Sequence, residues 1–315
     1  MKNNTTPKKI IPVFFAADDK YVPFLAVTLQ SMSEFLCADN EYRIHVLHEG
    51  LSEESKKSIS KYQKENMTIT YADVSAQIST FASKLKLRDY YTNAIYFRLF
   101  IAQLFPQYDK AIYLDCDIVI RCDLAELYDT SLENAYLAAV PDGAVGMVPV
   151  FQEYTKKVLG INGNEYFNSG VMLLNLNVLR REGFYDKFSE LIARYGFIVA
   201  PDQDCLNVIC KNRIVFLSDE WNTMPIGGEA QRAKNPKIVH YNLTMKPWHY
   251  ENILYREYFW ANAEKTEFYD CLKQELQNYG NAEKERDKAC EAGLLALCQK
   301  EIDRTDNYYN VYVKE

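Results

Sequence analysis

The chain has 315 residues, 48% of them hydrophobic and 25% charged, with a formal charge of −7 at pH 7. At roughly 150 residues per domain the length admits one large α/β domain or two smaller ones, and the ordinary composition excludes a mainly disordered or collagen-like chain. The acidic balance argues against a generic nucleic-acid binder, which draws most of its affinity from phosphate neutralisation, so an anionic ligand here needs a local cation or a metal.

Residues 1–9 are polar and carry Lys2, Lys8 and Lys9. The apolar run that follows breaks at Asp18-Asp19, far short of the ~20 residues of a membrane span, and lacks a small-residue cleavage site. These features predict a soluble, unexported, cytoplasmic protein without a transmembrane segment. Residues 10–15 read as a buried parallel strand, because a short apolar run bounded by charges suits a strand covered on both faces. Residues 21–36 carry apolar side chains at helical spacing. A second strand is expected at 42–47 and a polar helix at 52–65, with Ser52 as its N-cap. Further strands are expected at 67–71, 111–114, 136–140 and 170–176, and an aromatic-rich helix at 95–105. Strands alternating with helices of this length predict βαβ units and a mainly parallel sheet flanked by helices, with ligands at the carboxyl ends of the strands.

From residue 255 the texture changes to a run rich in Glu, Lys and Asn. Residues 283–299 predict an amphipathic helix with Leu294, Leu295 and Leu297 on its apolar side. The expected division is therefore a catalytic domain over 1–254 and a helical extension over 255–315. The eight cysteines are scattered and none forms a C-x-x-C pair, which argues against zinc and for reduced thiols. The triplet Asn242-Leu243-Thr244 falls within the site described next, where a glycan would obstruct it.

The most informative stretch is Tyr113-Leu114-Asp115-Cys116-Asp117-Ile118-Val119-Ile120. Two carboxylates stand inside an apolar run, and an unpaired buried carboxylate costs several kcal/mol. Positions i and i+2 of an extended segment project to one side, so Asp115 and Asp117 can meet at one hard cation. A strand-end turn with Asp caps is the competing reading at this point. Downstream, His240 lies in a short strand expected at 238–241, and Lys246 follows six residues later. A neutral imidazole is a suitable third ligand, and a lysine is a compact cation for phosphate.

With these residues the chain resembles the family 8 retaining glycosyltransferases, which include bacterial lipopolysaccharide galactosyltransferases and glycogenin. The landmarks occur in the family's order. They are Phe15-Ala16-Ala17-Asp18-Asp19-Lys20-Tyr21, then Tyr96-Phe97-Arg98-Leu99, then Tyr113-Leu114-Asp115-Cys116-Asp117. Phe167-Asn168-Ser169-Gly170-Val171, Pro201-Asp202-Gln203-Asp204 and His240 with Lys246-Pro247-Trp248 complete the set. The resemblance implies a GT-A fold, a UDP-glucose or UDP-galactose donor, a glycan or glycolipid acceptor, and Mn²⁺ or Mg²⁺ as cofactor. It implies Asp115, Asp117 and His240 as metal ligands, and Ala16, Asp18 and Tyr21 at the nucleotide. Arg98, Asp142, Asn168, Ser169, Asp202 and Gln203 would surround the donor sugar, and Lys246 would hold the diphosphate. Where the family often has glycine, this chain has Leu243 or Thr244.

The residue chemistry agrees with that implication. Breaking a sugar–phosphate bond builds negative charge on the leaving group, which a divalent cation and a lysine stabilise. An amide such as Gln203 is a poor nucleophile, so front-face attack is expected over a covalent intermediate. Two other functions share some of these features. Metal-dependent nucleotidyl transfer also uses paired aspartates, but no Gly-rich triphosphate cradle is present. A non-catalytic sugar-nucleotide or glycan-binding protein would be expected to have lost one of Asp115, Asp117, His240 or Lys246. A cell-surface glycan as the product, implied by the resemblance, places the work at the inner face of a membrane, with at most peripheral association.

Overall fold

The computed structural model describes residues 8–81, 84–87, 92–227 and 233–314, so most of the polar N-terminal segment lies outside the described residues. The main sheet is built from β1 (Lys9–Ala16), β2 (Asn40–His48), β3 (Met67–Asp73), β4 (Ala111–Leu114), β6 (Leu137–Pro141), β7 (Phe167–Leu174) and β8 (Ile214–Phe216). A separate two-stranded ribbon pairs β5 (Ile118–Ile120) with β9 (Ile238–His240). The order across the main sheet is β3-β2-β1-β4-β7-β6-β8. β7 runs antiparallel to both neighbours while the other pairings are parallel.

The apolar runs form strands for the expected reason, since both faces of the sheet are covered. Ile11, Val13 and Phe15 of β1 pack on one side and Phe14 on the other; Ile112 and Leu114 of β4 oppose Ala111 and Tyr113 in the same way. The reversal of β7 matters for the site. It brings the start of β7, Phe167-Asn168-Ser169-Gly170, to the edge where β1 and β4 end. Asp115 N–H then donates to the Gly170 carbonyl at 2.8 Å.

Three expectations are corrected. The segment around Asp115 and Asp117 is not one extended strand. β4 stops at Leu114, the chain bends at Cys116-Asp117, and β5 starts the second sheet at Ile118. The predicted helix at 95–105 is interrupted: Arg98–Phe100 forms a 3₁₀ turn between Ala94–Phe97 and Ile101–Leu104. A tightened turn inside a helix commonly marks a functional position, and here it carries Arg98. On the C-terminal helix, Asn281–Asp303, the packed side holds Leu294, Leu297, Cys298 and Glu301, while Leu295 faces solvent. The 3.6-residue period turns position 295 away from that stripe.

Helix Val22–Ser33 shapes the bend. The Thr28 hydroxyl lies 2.8 Å from the Cys116 carbonyl and 2.7 Å from the Ile118 carbonyl, and Ser31 Oγ accepts from Ile120 N–H at 2.9 Å. On its outer side the same helix packs against the first helix of the extension, Arg256–Ala263, through Phe24, Val27, Trp248, Phe259 and Ala263. Phe24 and Trp248 stack at 4.0 Å.

Thr28→Val keeps the shape but leaves buried carbonyls without a donor. It is expected to cost about 1–3 kcal/mol, read from the midpoint of urea unfolding at unchanged slope.

Candidate active site

The bend delivers two carboxylates to the edge of the sheet, and the ribbon delivers the imidazole. Ile118 pairs with His240 across β5 and β9, and Tyr241 N–H donates to the Asp117 carbonyl at 2.9 Å. One ligand atom from each of Asp115, Asp117 and His240 lies within 4.8 Å of the others. His240 Nε2 is 3.3 Å from Asp117 Oδ1 and 3.8 Å from Asp115 Oδ2. Asp117 Oδ1 is buried and has no hydrogen-bond partner. Its other oxygen accepts from the buried Lys246 ammonium, which also donates to the Tyr241 carbonyl. Burial opposes ionisation of Asp117, but Lys246 and His240 outweigh it and hold the carboxyl well below the usual range.

Gly170 makes room for this cluster. A Cβ at residue 170 would fall 2.3 Å from His240 Cε1 and 2.7 Å from Asp115 Oδ2, so only glycine admits both side chains.

Arg98 holds the cluster from beside Asp115. It is 8% exposed and spends its donors inside the protein. Nη2 donates to Asp115 Oδ1 at 2.7 Å, Nη1 to the Ser169 carbonyl at 2.7 Å, and Nε lies 3.3 Å from Asp202 Oδ2. The guanidinium stacks on Tyr113, whose hydroxyl donates to Asp115 Oδ1 at 2.9 Å. Burial works against this charge and Asp115 more than offsets it, raising the Arg98 pKa. Burial pushes the Asp202 carboxyl up, with Arg98 resisting. The structure thus places Arg98 behind the carboxylates as their support, paired with Asp115 and Asp202 and not with Asp142.

The remaining predicted residues form a hydrogen-bonded set beside the cluster. Asp142 Oδ1 caps the helix Gly143–Met147 through Ala144 and Val145 N–H, and its Oδ2 accepts from Asn168 Nδ2 at 3.0 Å and Gln203 Nε2 at 3.1 Å. Gln203 Oε1 accepts from Ser169 N–H at 2.9 Å. Helix Pro201–Cys210 begins with proline at its first position, as the sequence predicts. Asp18 accepts from Lys20 and Tyr21 N–H through one oxygen, so it does cap the turn before helix Val22–Ser33. Ala16, Asp18, Tyr21, Arg98, Asp115, Asp117, Asp142, Asn168, Ser169, Asp202, Gln203, His240 and Lys246 all line one open cleft of about 1310 Å³.

The donor set fits a divalent cation. Two carboxylates and an imidazole within one ion's reach, an unpaired buried oxygen, and a backing arginine together suit a hard metal. The sequence did not reveal several supporting residues. Thr28 and Asn222 carry no motif of their own, and Tyr113, though it opens the stretch around Asp115, gains its hydrogen bond and its arginine only through the tertiary fold. Asn222 Oδ1 meets His240 Nδ1 at 3.0 Å. Leu243 takes φ +51°, the left-handed region that favours glycine, at a place where the resemblance leads one to expect Gly. Its neighbour Thr244 donates to Glu291 of the C-terminal helix. Among the aromatics whose positions in the sequence lie near the site residues, Trp221 and Trp248 are buried and do not line the cleft, and Tyr250 donates to Asp287. Tyr166 does line it, with its hydroxyl donating inward to Asp204 at 2.7 Å.

A sheet edge that ends in a bent pair of carboxylates, with an imidazole and a lysine beside them and an amide-lined pocket next to them, defines a candidate cation site in a polar cleft. Residues 12–252 match Glycosyl transferase family 8, and the chain belongs to that family. A putative glycosyltransferase of Haemophilus influenzae is 30% identical over 246 residues, 75% of this chain and 72% of that protein. A lipopolysaccharide 1,2-glucosyltransferase of Escherichia coli K12 is 33% identical over 176 residues, half of each chain. Among solved structures, the galactosyltransferase LgtC in complex with donor and acceptor sugar analogs superposes with a TM-score of 0.69 at 27% identity, covering 82% of this chain and 96% of that one. The fold is therefore of the GT-A type, and the protein is a glycosyltransferase with a D-x-D motif.

Two outcomes follow from the geometry. Gly170→Ala forces His240 and Asp115 apart and is expected to weaken divalent-cation binding by about 100-fold or more, with a stability cost of about 1–3 kcal/mol; calorimetric titration of the metal-free protein checks it. Asp204, buried beneath the cleft with Tyr154 and Tyr166 donating to it at 2.7 Å, has its pKa raised by burial to about 6. Its native pKa exceeds the unfolded one, so its stabilising contribution is complete below the unfolded value and is lost as pH rises through about 6. Wild type should lose on the order of 2–3 kcal/mol relative to Asp204→Asn between about pH 4 and pH 6, with a flat difference above about pH 7, in thermal unfolding scans.

Proposed function

We propose that this protein is a retaining hexosyltransferase that moves glucose or galactose from a UDP-sugar to a glycan or glycolipid acceptor, with Mn²⁺ as its metal. The observation that carries the reading is the junction of two sets in one cleft. The Asp115–Asp117–His240 cluster with Lys246 meets the Asp142–Asn168–Gln203 hydrogen-bond set. The first suits a diphosphate, the second a sugar. Similarity to a lipopolysaccharide glucosyltransferase and to the galactosyltransferase LgtC supports a hexosyl donor and a role in cell-surface polysaccharide or lipopolysaccharide assembly.

Asp115, Asp117 and His240 would hold the metal, which supplies Lewis-acid stabilisation of the leaving diphosphate. Lys246 adds a second positive charge at that end. Ala16, Asp18 and Tyr21 form the nucleotide side. Asp142, Asn168, Ser169 and Gln203 orient the sugar ring, and Arg98 and Asp202 keep Asp115 and Ser169 in place. Gln203 Oε1 is held by Ser169 N–H and its Nε2 by Asp142, which disfavours a glycosyl adduct on the amide. The acceptor hydroxyl then attacks from the face the leaving group departs, with a phosphate oxygen taking its proton.

Residues 1–254 form the catalytic part of this reading, and the extension 255–315 closes the acceptor end. Leu294 lines the cleft, Glu291 holds Thr244, and Asp287 accepts from Tyr250. No helix among the described residues is long and apolar enough to cross a membrane, which is compatible with work at a cytoplasmic membrane face.

The test is UDP release from a panel of UDP-sugars with Mn²⁺. One hexose donor should dominate. Asp117→Asn should abolish turnover, and Lys246→Ala should lower kcat by about 10²–10³-fold, the usual cost of one charge-stabilising group. No binding of any UDP-sugar by calorimetry rejects the assignment, and a trapped glycosyl–enzyme adduct rejects front-face attack.

A further inference from the structure

One hydrogen-bonded chain of side chains leaves the metal-type cluster and ends at the sugar side, and its proton positions can be deduced. Asn168 lies at the start of β7, where Gly170 N–H donates at 3.0 Å to one of its side-chain atoms. A backbone N–H can only donate, so that atom is Oδ1. The other atom, Nδ2, then faces the Asp142 carboxylate at 3.0 Å, as a donor should. The Asn222 atom 2.9 Å from Asn168 Oδ1 must in turn be its donor, Nδ2. That leaves Asn222 Oδ1, an acceptor, facing His240 Nδ1 at 3.0 Å. His240 therefore carries a proton on Nδ1, which leaves Nε2, 3.3 Å from Asp117 Oδ1, as the nitrogen available to a cation.

The surroundings leave no alternative arrangement. Asn222 and His240 are each 2% exposed, so water cannot replace the amide. The backbone holds them together as well: Thr223 N–H donates to the Ile238 carbonyl, and His240 N–H to the Thr223 carbonyl, both at 2.9 Å.

We propose that Asn222 is a positioning residue with two functions. Its carbonyl oxygen fixes the His240 tautomer that a divalent cation requires. Its amide N–H orients Asn168, and through it Asp142, at the sugar end. The first function rests on the reading of Asp115, Asp117 and His240 as a cation site; the second rests also on the UDP-sugar reading. Groups that hold the far nitrogen of a ligating imidazole are generally worth about 10–100-fold in metal affinity.

Asn222→Asp and Asn222→Ala separate these functions. Aspartate still accepts from His240 Nδ1–H but has no N–H for Asn168. Alanine has neither. The full chain, stripped of metal, is tested by ¹⁵N NMR of the imidazoles, with His240 identified by its loss in His240→Gln, and by Mn²⁺ titration followed by electron paramagnetic resonance. Wild-type His240 should be protonated at Nδ1. Asn222→Ala should bind Mn²⁺ about 10–100-fold more weakly, and Asn222→Asp within ~3-fold of wild type. With Mn²⁺ present, Asn222→Asp should bind its UDP-hexose about 10-fold more weakly while binding UDP like wild type.

The Nε2–H tautomer in wild type overturns the proposal, and so does Asn222→Ala binding Mn²⁺ as wild type does. Equal loss of Mn²⁺ by both variants reduces Asn222 to packing and overturns it too. If Asn222→Ala does not fold, the wild-type tautomer and Asn222→Asp decide. The tautomer and the Mn²⁺ titration need no UDP-sugar, so a failure of the glycosyltransferase reading is distinguishable from a failure here.

Discussion

Two carboxylates sit where the central sheet ends, and most of the surrounding architecture is compensation for them. Asp115 is held by Arg98 and Tyr113, and Asp117 by Lys246 with His240 beside it. Each support comes from a different part of the chain: the interrupted helix after β3, the end of β4, the β9 ribbon, and the loop after it. A buried acid without such partners would take up a proton or destabilise the fold. At Asp117 the Lys246 and His240 contacts that make the buried acid tolerable also hold it ionised, the state a cation needs.

The reversal of β7 joins this cluster to the sugar side. A fully parallel sheet would put only strand ends at the site edge. Here a strand start, Asn168-Ser169-Gly170, arrives at the same edge as Asp115. Its backbone pairs with Asp115, its glycine leaves space for His240, and its two polar side chains reach Asp142, Asp202 and Gln203. Metal-side and sugar-side residues are thus two ends of one hydrogen-bonded structure, with Asn222 joining them.

The C-terminal helix lies beyond the residues matched by the family, yet it forms part of the cleft. Asp287, Glu291, Leu294 and Cys298 fall on one stripe of Asn281–Asp303. In turn they meet Tyr250, Thr244, the cleft itself and the core beneath it. That stripe braces a loop in which Leu243 holds a left-handed conformation, a strain on the order of 1–2 kcal/mol for a residue with a Cβ. The brace stands a few residues from Lys246.

The sequence alone determined most of the strands, since apolar runs bounded by charges have few other ways to fold, though not Ile118–Ile120 or Ile214–Phe216, and it determined the chemical inventory of the site. Asp115, Asp117, His240 and Lys246 were legible because a carboxylate in an apolar run must be explained by something else in the chain. The two-residue spacing suggested the right partners through an extended geometry that the bend at Cys116 replaced. Only the tertiary structure decided how the inventory is used. Arg98 pairs with Asp115 and Asp202, and Trp221 and Trp248 are packed in the interior. Asn222 and Thr28 entered the site without any local pattern. Their roles depend on hydrogen-bond direction and on which elements meet across the sheet, and these are properties of contacts far apart in sequence that no spacing along the chain encodes.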